Sequence, residues 1–112
     1  WLKKQGYRII GQGLRSRLGE LDLVAKEGTT LVFVEVKTRR SSERGEPVEA
    51  VGHQKQQRLV RAALEYMRKH RLLGVACRFD VVSIVWPEDS AEPSVKHFKA
   101  AFDATGHASM FS

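Results

Sequence analysis

Two runs of alternating residues, separated by Gly-Thr, constrain this chain more than any other feature. Glu20 to Glu27 and Thr30 to Arg39 each read as a strand, and in a strand alternate side chains share a face. Gly28-Thr29 serves as a two-residue loop, with glycine at the first position as a type II′ turn requires. That loop sets a register. Val24 falls opposite Phe33, Asp22 opposite Glu35, and Glu20 opposite Lys37, while Leu23 faces Val34 and Leu21 faces Val36. One face of the hairpin (Leu21, Leu23, Ala25, Val32, Val34, Val36) is apolar and has to pack on a core. The other carries Glu20, Asp22, Val24, Phe33, Glu35, Lys37 and Arg39, and turns acidic away from the loop. One loop residue more or less would mix the two faces, so the pattern itself supports the register.

Carboxylates directly opposite on paired strands repel one another. Protonation, solvent or a nearby cation has to relieve the repulsion. Asp22 and Glu35 together offer hard oxygen ligands, the kind taken by Mg²⁺ or Mn²⁺. Lys37 lies on the same face, one pleat beyond Glu35. There it can hold or polarise a water, or stabilise charge on a phosphorane-like transition state. The competing reading is a surface hairpin with cross-strand salt bridges, Glu20 to Lys37 being the obvious pair, and such pairs are worth little. Spacing alone leaves both readings open.

Around the hairpin the chain alternates helix and strand. Residues 1–6 read as the last turn of a helix stopped by Gly6. Tyr7 to Ile10 reads as a short strand that Arg15 to Arg17 continues after a Gly11-Gln12-Gly13 break. Residues 40–48 form a polar loop rich in turn formers. A helix is predicted from Val51 to His70, with an apolar stripe of Leu59, Val60, Ala63, Leu64 and Met67, ended by Gly74. Arg78 to Trp86 and Val95 to Phe102 complete the strands. No repeat or linker divides the chain, so residues 1–112 read as a single α/β domain. It opens at Trp1 rather than at a methionine, and upstream residues are expected.

The formal net charge is +6, from 19 Lys and Arg against 13 Asp and Glu. A small basic domain points to a polyanionic partner, nucleic acid before an acidic membrane surface. No apolar run reaches the length of a membrane span, and no signal-peptide pattern opens the chain. Cys77 is the lone cysteine, so no internal disulfide can form. It reads as a small strand hydrophobe in a reducing compartment, the cytoplasm. His53, His70, His97 and His107 share no metal-ligand spacing, so no zinc site is read.

A longer pattern is more specific. Gly19-Glu20-Leu21-Asp22-Leu23-Val24-Ala25, followed by Leu31-Val32-Phe33-Val34-Glu35-Val36-Lys37-Thr38-Arg39, closely resembles the bacterial YraN-like family. Gly6-Tyr7, Arg15, Lys55 with Ala62-Ala63, Arg78-Phe79-Asp80-Val81-Val82 and Ala101-Phe102 extend the match along the whole chain. That family is uncharacterised and is thought to be endonucleolytic from its similarity to archaeal Holliday-junction resolvases, of the PD-(D/E)XK nuclease superfamily. The resemblance implies a restriction-endonuclease-like α/β core, a central mixed sheet flanked by helices. It implies Asp22 and Glu35 as metal ligands, with the Val36 carbonyl as a further ligand and Lys37 as the catalytic lysine. The function implied is a Mg²⁺- or Mn²⁺-dependent endodeoxyribonuclease acting in DNA repair or recombination, with branched DNA as the leading substrate and a homodimer arranging paired cuts. The alternative is a nucleic-acid-binding module without catalysis. The family pattern begins with a helix carrying a Gly-Glu pair, and this chain starts at what reads as that helix's end. Gly13 stands where a polar residue is expected, which leaves the role of Arg15 open.

Other residues carry two readings each. Glu20 is an accessory ligand or the salt-bridge partner of Lys37. Lys55, accessory by the resemblance, is otherwise a solvated lysine. Asp80 reads as a structural acceptor more readily than as support for the site. Arg58, Arg61 and Arg68 share a helical face with Gln54 and Glu65, a phosphate stripe or a solvated face. Arg39, Arg40 and Arg44 follow the acidic strand and, with Arg15, are the expected nucleic-acid contacts. Binding to duplex DNA should therefore be strongly salt-dependent, with a slope in log K against log salt of about −0.9 per neutralised phosphate. Fluorescence anisotropy across a salt series measures it, and a flat profile would contradict the basic-surface argument.

Overall fold

The computed structural model describes residues 2–16, 19–40, 52–88 and 92–102. A short 3₁₀ turn, Lys3–Gln5, is closed by Gly6 in the left-handed region at φ +91°. Five strands and one helix follow: β1 Arg8–Ser16, β2 Gly19–Glu27, β3 Thr30–Arg40, α1 His53–Lys69, β4 Cys77–Trp86 and β5 Ser94–Phe102. They form one sheet in sequential order, β1-β2-β3-β4-β5. Only β3 and β4 pair in parallel, from Leu31↔Cys77 to Arg40↔Trp86, and the other neighbours are antiparallel. Parallel strands require a crossover, and α1 lies in that connection. The result is a mixed α/β sheet compatible with the restriction-endonuclease-like core. Among the described residues the flanking is by one α-helix, on one face.

The β2–β3 hairpin has the register the alternation predicts, from Glu27↔Thr30 to Leu23↔Val34. Gly28 sits at φ +62° while Thr29 stays out of the positive region, the pattern of a type II′ turn. The break expected at Gly11-Gln12-Gly13 is instead a bulge within a continuous β1: Ile9 faces Ala25, but Gly11 faces Val24. An extra residue in one strand bends the pair and increases its twist.

Two apolar clusters cover the two sides of the sheet. On the helix side Leu59, Val60, Ala62, Ala63 and Met67 of α1 pack on Val24, Leu31, Phe33, Phe79 and Val81. On the other side Leu2 and Tyr7 pack on Ala25, Val32, Val34 and Val82. Three expectations are corrected here. The alternation puts Leu21 with Leu23 and Ala25, yet it joins the helix-side cluster with its β1 partner Leu14; β2 has there left its ladder with β3, which ends at Leu23↔Val34, and Leu14 follows Gly13 at φ +55°. Leu64 was placed on the apolar stripe but is exposed, with Ala62 buried in its stead. The helix ends at Lys69 with His70 as its cap, in line with the expected end at His70, but Gly74 is not its stop and sits at φ +94° in the turn before β4.

Asp80 is fully buried on the side away from α1. Its Oδ1 accepts Arg78 Nε and the Ala100 amide, both at 3.0 Å. Its Oδ2 lies 3.2 Å from Arg78 Nη2 and 2.7 Å from His97 Nε2. Arg78 continues the network to Glu27 and to the Tyr7 hydroxyl, each at 2.7 Å. The Ala100 contact falls where the β4–β5 register shifts and Ala100 adopts φ +50°, so the carboxylate replaces a ladder bond at a bulge. Asp80 is thus the structural acceptor that its strand position favoured. Asp80→Ala would leave the Ala100 amide without its acceptor and Arg78 with Glu27 as its remaining carboxylate, and should cost about 1–3 kcal/mol, read as a lower urea midpoint with an unchanged m-value.

Candidate active site

The helix lies on the acid-bearing face of the hairpin, and that decides which side chains meet. Asp22 comes from β2, Glu35 and Lys37 from β3, and Lys55 and Arg58 from the first two turns of α1. Lys55 and Arg58 are three apart, so they occupy one helical face. Gly19 brings β2 against the helix. A Cβ there would stand 3.4 Å from the Arg58 carbonyl oxygen and 3.6 Å from the Ala62 Cβ, at a φ of +155° that side chains rarely adopt. Those distances are ordinary contacts, so it is the backbone conformation rather than crowding that favours glycine here. Between strand and helix opens a cleft of about 360 Å³, lined by Gly19, Glu20, Asp22, Glu35, Lys55, Arg58 and Leu59.

The β2–β3 pairs end at Leu23↔Val34, one residue before the two acids. Beyond that point Asp22 Oδ2 accepts the Val36 amide at 2.9 Å. The side chain takes over a backbone bond, leaving its other oxygen for the cleft. Glu35 is buried, at 6% exposure, so its charge requires partners. Two ammonium groups share its Oε1: Lys55 Nζ at 2.7 Å and Lys37 Nζ at 3.3 Å.

Two lysines around one carboxylate do not behave alike. Partial burial and the adjacent Lys55 hold the Lys37 ammonium below its ordinary value, against the opposing pull of Glu35. Burial also disfavours the charged form of Lys55, but its bond to Glu35 outweighs that and moves it up. The arrangement favours Lys55 as the standing cation and Lys37 as the group that gives up its proton first.

Asp22, Glu35, Lys37 and Lys55 are brought together as expected. Glu20 also lines the cleft, but the pairing with Lys37 is replaced by one with its β1 neighbour Arg15, at 3.8 Å between exposed groups. Arg15 therefore stands on the outer hairpin rather than at the acids. Arg39 is partly buried and Arg40 exposed at the far end of β3, beside Val85 and Trp86. Arg44 lies outside the described residues. Val36 enters through its amide. Of the helical arginines, Arg58 lines the cleft and Arg68 is paired with Glu65 at 2.8 Å. The sequence offers Arg58 only as one of a stripe, and its spacing of three from Lys55 is the signal that separates it.

A mixed α/β sheet whose acid-bearing hairpin is closed by a helix, with two carboxylates and two lysines in the seam, defines the class of domain. The chain belongs to the uncharacterised protein family UPF0102, whose model it matches over residues 1–84, and which is the YraN-like family of the sequence resemblance. It is 42% identical to a UPF0102 protein of Rhodopirellula baltica over 98% of this chain and 68% of that protein. It is 46% identical to one of Anaeromyxobacter dehalogenans, over 95% and 78% respectively, and 49% identical to one of Alkaliphilus metalliredigens, over 76% and 75%.

Replacing Lys55 by Met should move the Lys37 titration up, towards the ordinary 10.5, because a neighbouring cation is removed and Glu35 is left to Lys37 alone. Between its lowered folded value and 10.5 the folded chain binds fewer protons at Lys37 than the unfolded chain. That contribution to stability therefore rises with pH through this window, and the rise should shrink in the variant. NMR titration of the Lys37 ¹³Cε resonance reads the shift, and a midpoint that stays or falls would refute the coupling.

Proposed function

We propose that this chain is a metal-dependent nuclease of the PD-(D/E)XK type that hydrolyses phosphodiester bonds in DNA. The observation that carries the reading is the convergence of Asp22, Glu35 and Lys55 on one cleft from three separate elements, with Lys37 Nζ 3.3 Å from the same Glu35 oxygen that Lys55 holds. The donor set fits a hard divalent cation: two carboxylates, one buried and one with an oxygen to spare. Mg²⁺ binds through one or two carboxylates plus substrate phosphate, so Asp22, Glu35 and the Val36 carbonyl would hold Mg²⁺ or Mn²⁺. Such an ion supplies Lewis-acid stabilisation of charge on the phosphoryl oxygens.

The chain's own residues do the rest. Lys37, held below its ordinary value, takes the proton of the attacking water. The water oxygen bonds to phosphorus, one P–O ester bond breaks, and the leaving oxygen is protonated from solvent. Lys55 and Arg58 face the cleft as donors for the phosphate, and Arg39 and Arg40 extend the basic surface along β3. Branched DNA such as a Holliday junction and a homodimeric assembly belong to this proposal by the family resemblance, and a cytoplasmic location by the lone cysteine, Cys77. No helix among the described residues is long and apolar enough to cross a membrane.

Lys37→Ala and Asp22→Asn separate this reading from a binding module or a structural ion-pair cluster. Lys37→Ala should keep Mn²⁺ affinity while slowing single-turnover cleavage by about 10²–10⁴, the usual contribution of a general base. Asp22→Asn should weaken Mn²⁺ binding directly. The assay uses duplex, single-stranded, flapped and four-way-junction DNA. A wild-type protein that binds these without cutting any would establish the binding module, and a Lys37→Ala protein cutting at the wild-type rate would remove Lys37 from the chemistry.

A further inference from the structure

The shortest ion pair in the cleft joins Lys55 Nζ to Glu35 Oε1, at 2.7 Å. Lys55 belongs to a different element from the two acids, and its side chain is 43% exposed while that of Glu35 is 7% exposed. The buried partner is therefore the fixed one, and the solvent-facing partner is the one that can leave. Lys37 approaches the same oxygen at a looser 3.3 Å from a rigid position two residues along the same strand. The ammonium of Lys55 thus stands where a cation is needed by Glu35, on an unbranched stem with several rotatable bonds, at the edge of a cleft open to solvent.

Resting on the nuclease reading, we propose that Lys55 is an internal counter-cation: it neutralises Glu35 in the metal-free protein and is displaced when a divalent cation binds there. A protonated lysine cannot ligate a metal, and an ammonium bonded to a carboxylate oxygen competes with a cation for that oxygen. Binding of the divalent ion then requires Glu35 to exchange one positive partner for another. The acid site stays neutralised in both states, so the buried carboxylate is never left without compensation. The released ammonium remains tethered to the first turn of α1, beside Arg58, which lines the same cleft. In that position it adds a positive charge at the cleft when the ion and a phosphate are both present. Towards the metal Lys55 acts through Glu35 and does not touch the ion.

The competition has a direct consequence for metal affinity in the absence of nucleic acid. Lys55→Met and Lys55→Gln should each bind Mn²⁺ about tenfold more tightly than the wild type, within the usual range of coupling between linked sites. Isothermal titration calorimetry with Mn²⁺ alone measures it, with Asp22→Asn as the variant that loses binding and urea unfolding to verify that each protein is folded. Tighter binding by both neutral variants supports displacement. Equal or weaker binding by folded variants, beside a wild type that binds, overturns the counter-cation role and leaves the nuclease reading standing. A wild type and variants that all fail to bind Mn²⁺ overturn the metal site itself, and this inference with it.

Discussion

Everything at the candidate site depends on where β2 and β3 stop pairing. Antiparallel strands that remained laddered past Leu23↔Val34 would set Asp22 and Glu35 side by side at cross-strand distance, with no room between them. Instead Asp22 Oδ2 holds the Val36 amide at 2.9 Å. The amide is satisfied without a backbone partner, so the strands can part without an orphaned donor. Between the parted strands and α1 lies the cleft. Losing this bond would do more than remove a carboxylate, since it would also leave the Val36 amide to find another acceptor.

Asp80 uses the same device for a different purpose. It too takes a backbone amide, that of Ala100, where a strand pair loses its register. The difference lies in what else each carboxylate holds. Both oxygens of Asp80 are engaged, by Arg78, His97 and Ala100, in a fully buried position. Asp22 spends one oxygen on the backbone and lines an open cleft with the rest. Saturated and buried on one side of the sheet, half-used and accessible on the other, the two aspartates separate a structural acid from one able to take a ligand. Burial and hydrogen-bond count make that separation; residue type cannot.

How much of this was legible in the sequence follows from the range of the forces involved. The β2–β3 register was readable because a period of two and a two-residue turn are local constraints, and both survive folding unchanged. Asp22, Glu35 and Lys37 were readable for the same reason. The turning of Leu21 to the helix side was not, because Leu21 lies beyond the last β2–β3 pair, Leu23↔Val34, where the ladder no longer enforces the alternation. The partner of Glu20 was misread for a related cause. The hairpin pattern names Lys37 as its neighbour, but β1 offers Arg15 across the other edge of β2. Leu64 illustrates the limit of helical periodicity: an apolar residue at the edge of a stripe is buried only if the sheet extends beneath it, and here it does not. Arg58 was hidden among three arginines at equivalent spacing until the approach of Gly19 marked which end of α1 meets the acids.

The energetic cost of the Glu35 cluster argues against a purely structural origin. A carboxylate at 6% exposure has given up much of its hydration, and ion pairing returns that loss only in part. Buried ion pairs are often no more stable than well-packed apolar residues of similar volume. The surrounding positions show what such a replacement would look like: Val34 on the same strand and Val81, the β4 neighbour of Glu35, are both buried apolar residues. A valine or leucine at position 35 would extend the helix-side core without requiring either lysine. A core of that kind would be the simpler solution if stability were the only demand. The Arg78–Asp80 network does not share this excess, because its carboxylate is saturated by backbone as well as by side chains and fixes a bulge that the sheet needs. Around Glu35 two cations meet one oxygen, one of them held below its ordinary value by partial burial and by the other. Like charges crowded beside a single acid are poor architecture for a fold. They are suited to a site where a proton, a cation or a phosphate comes and goes.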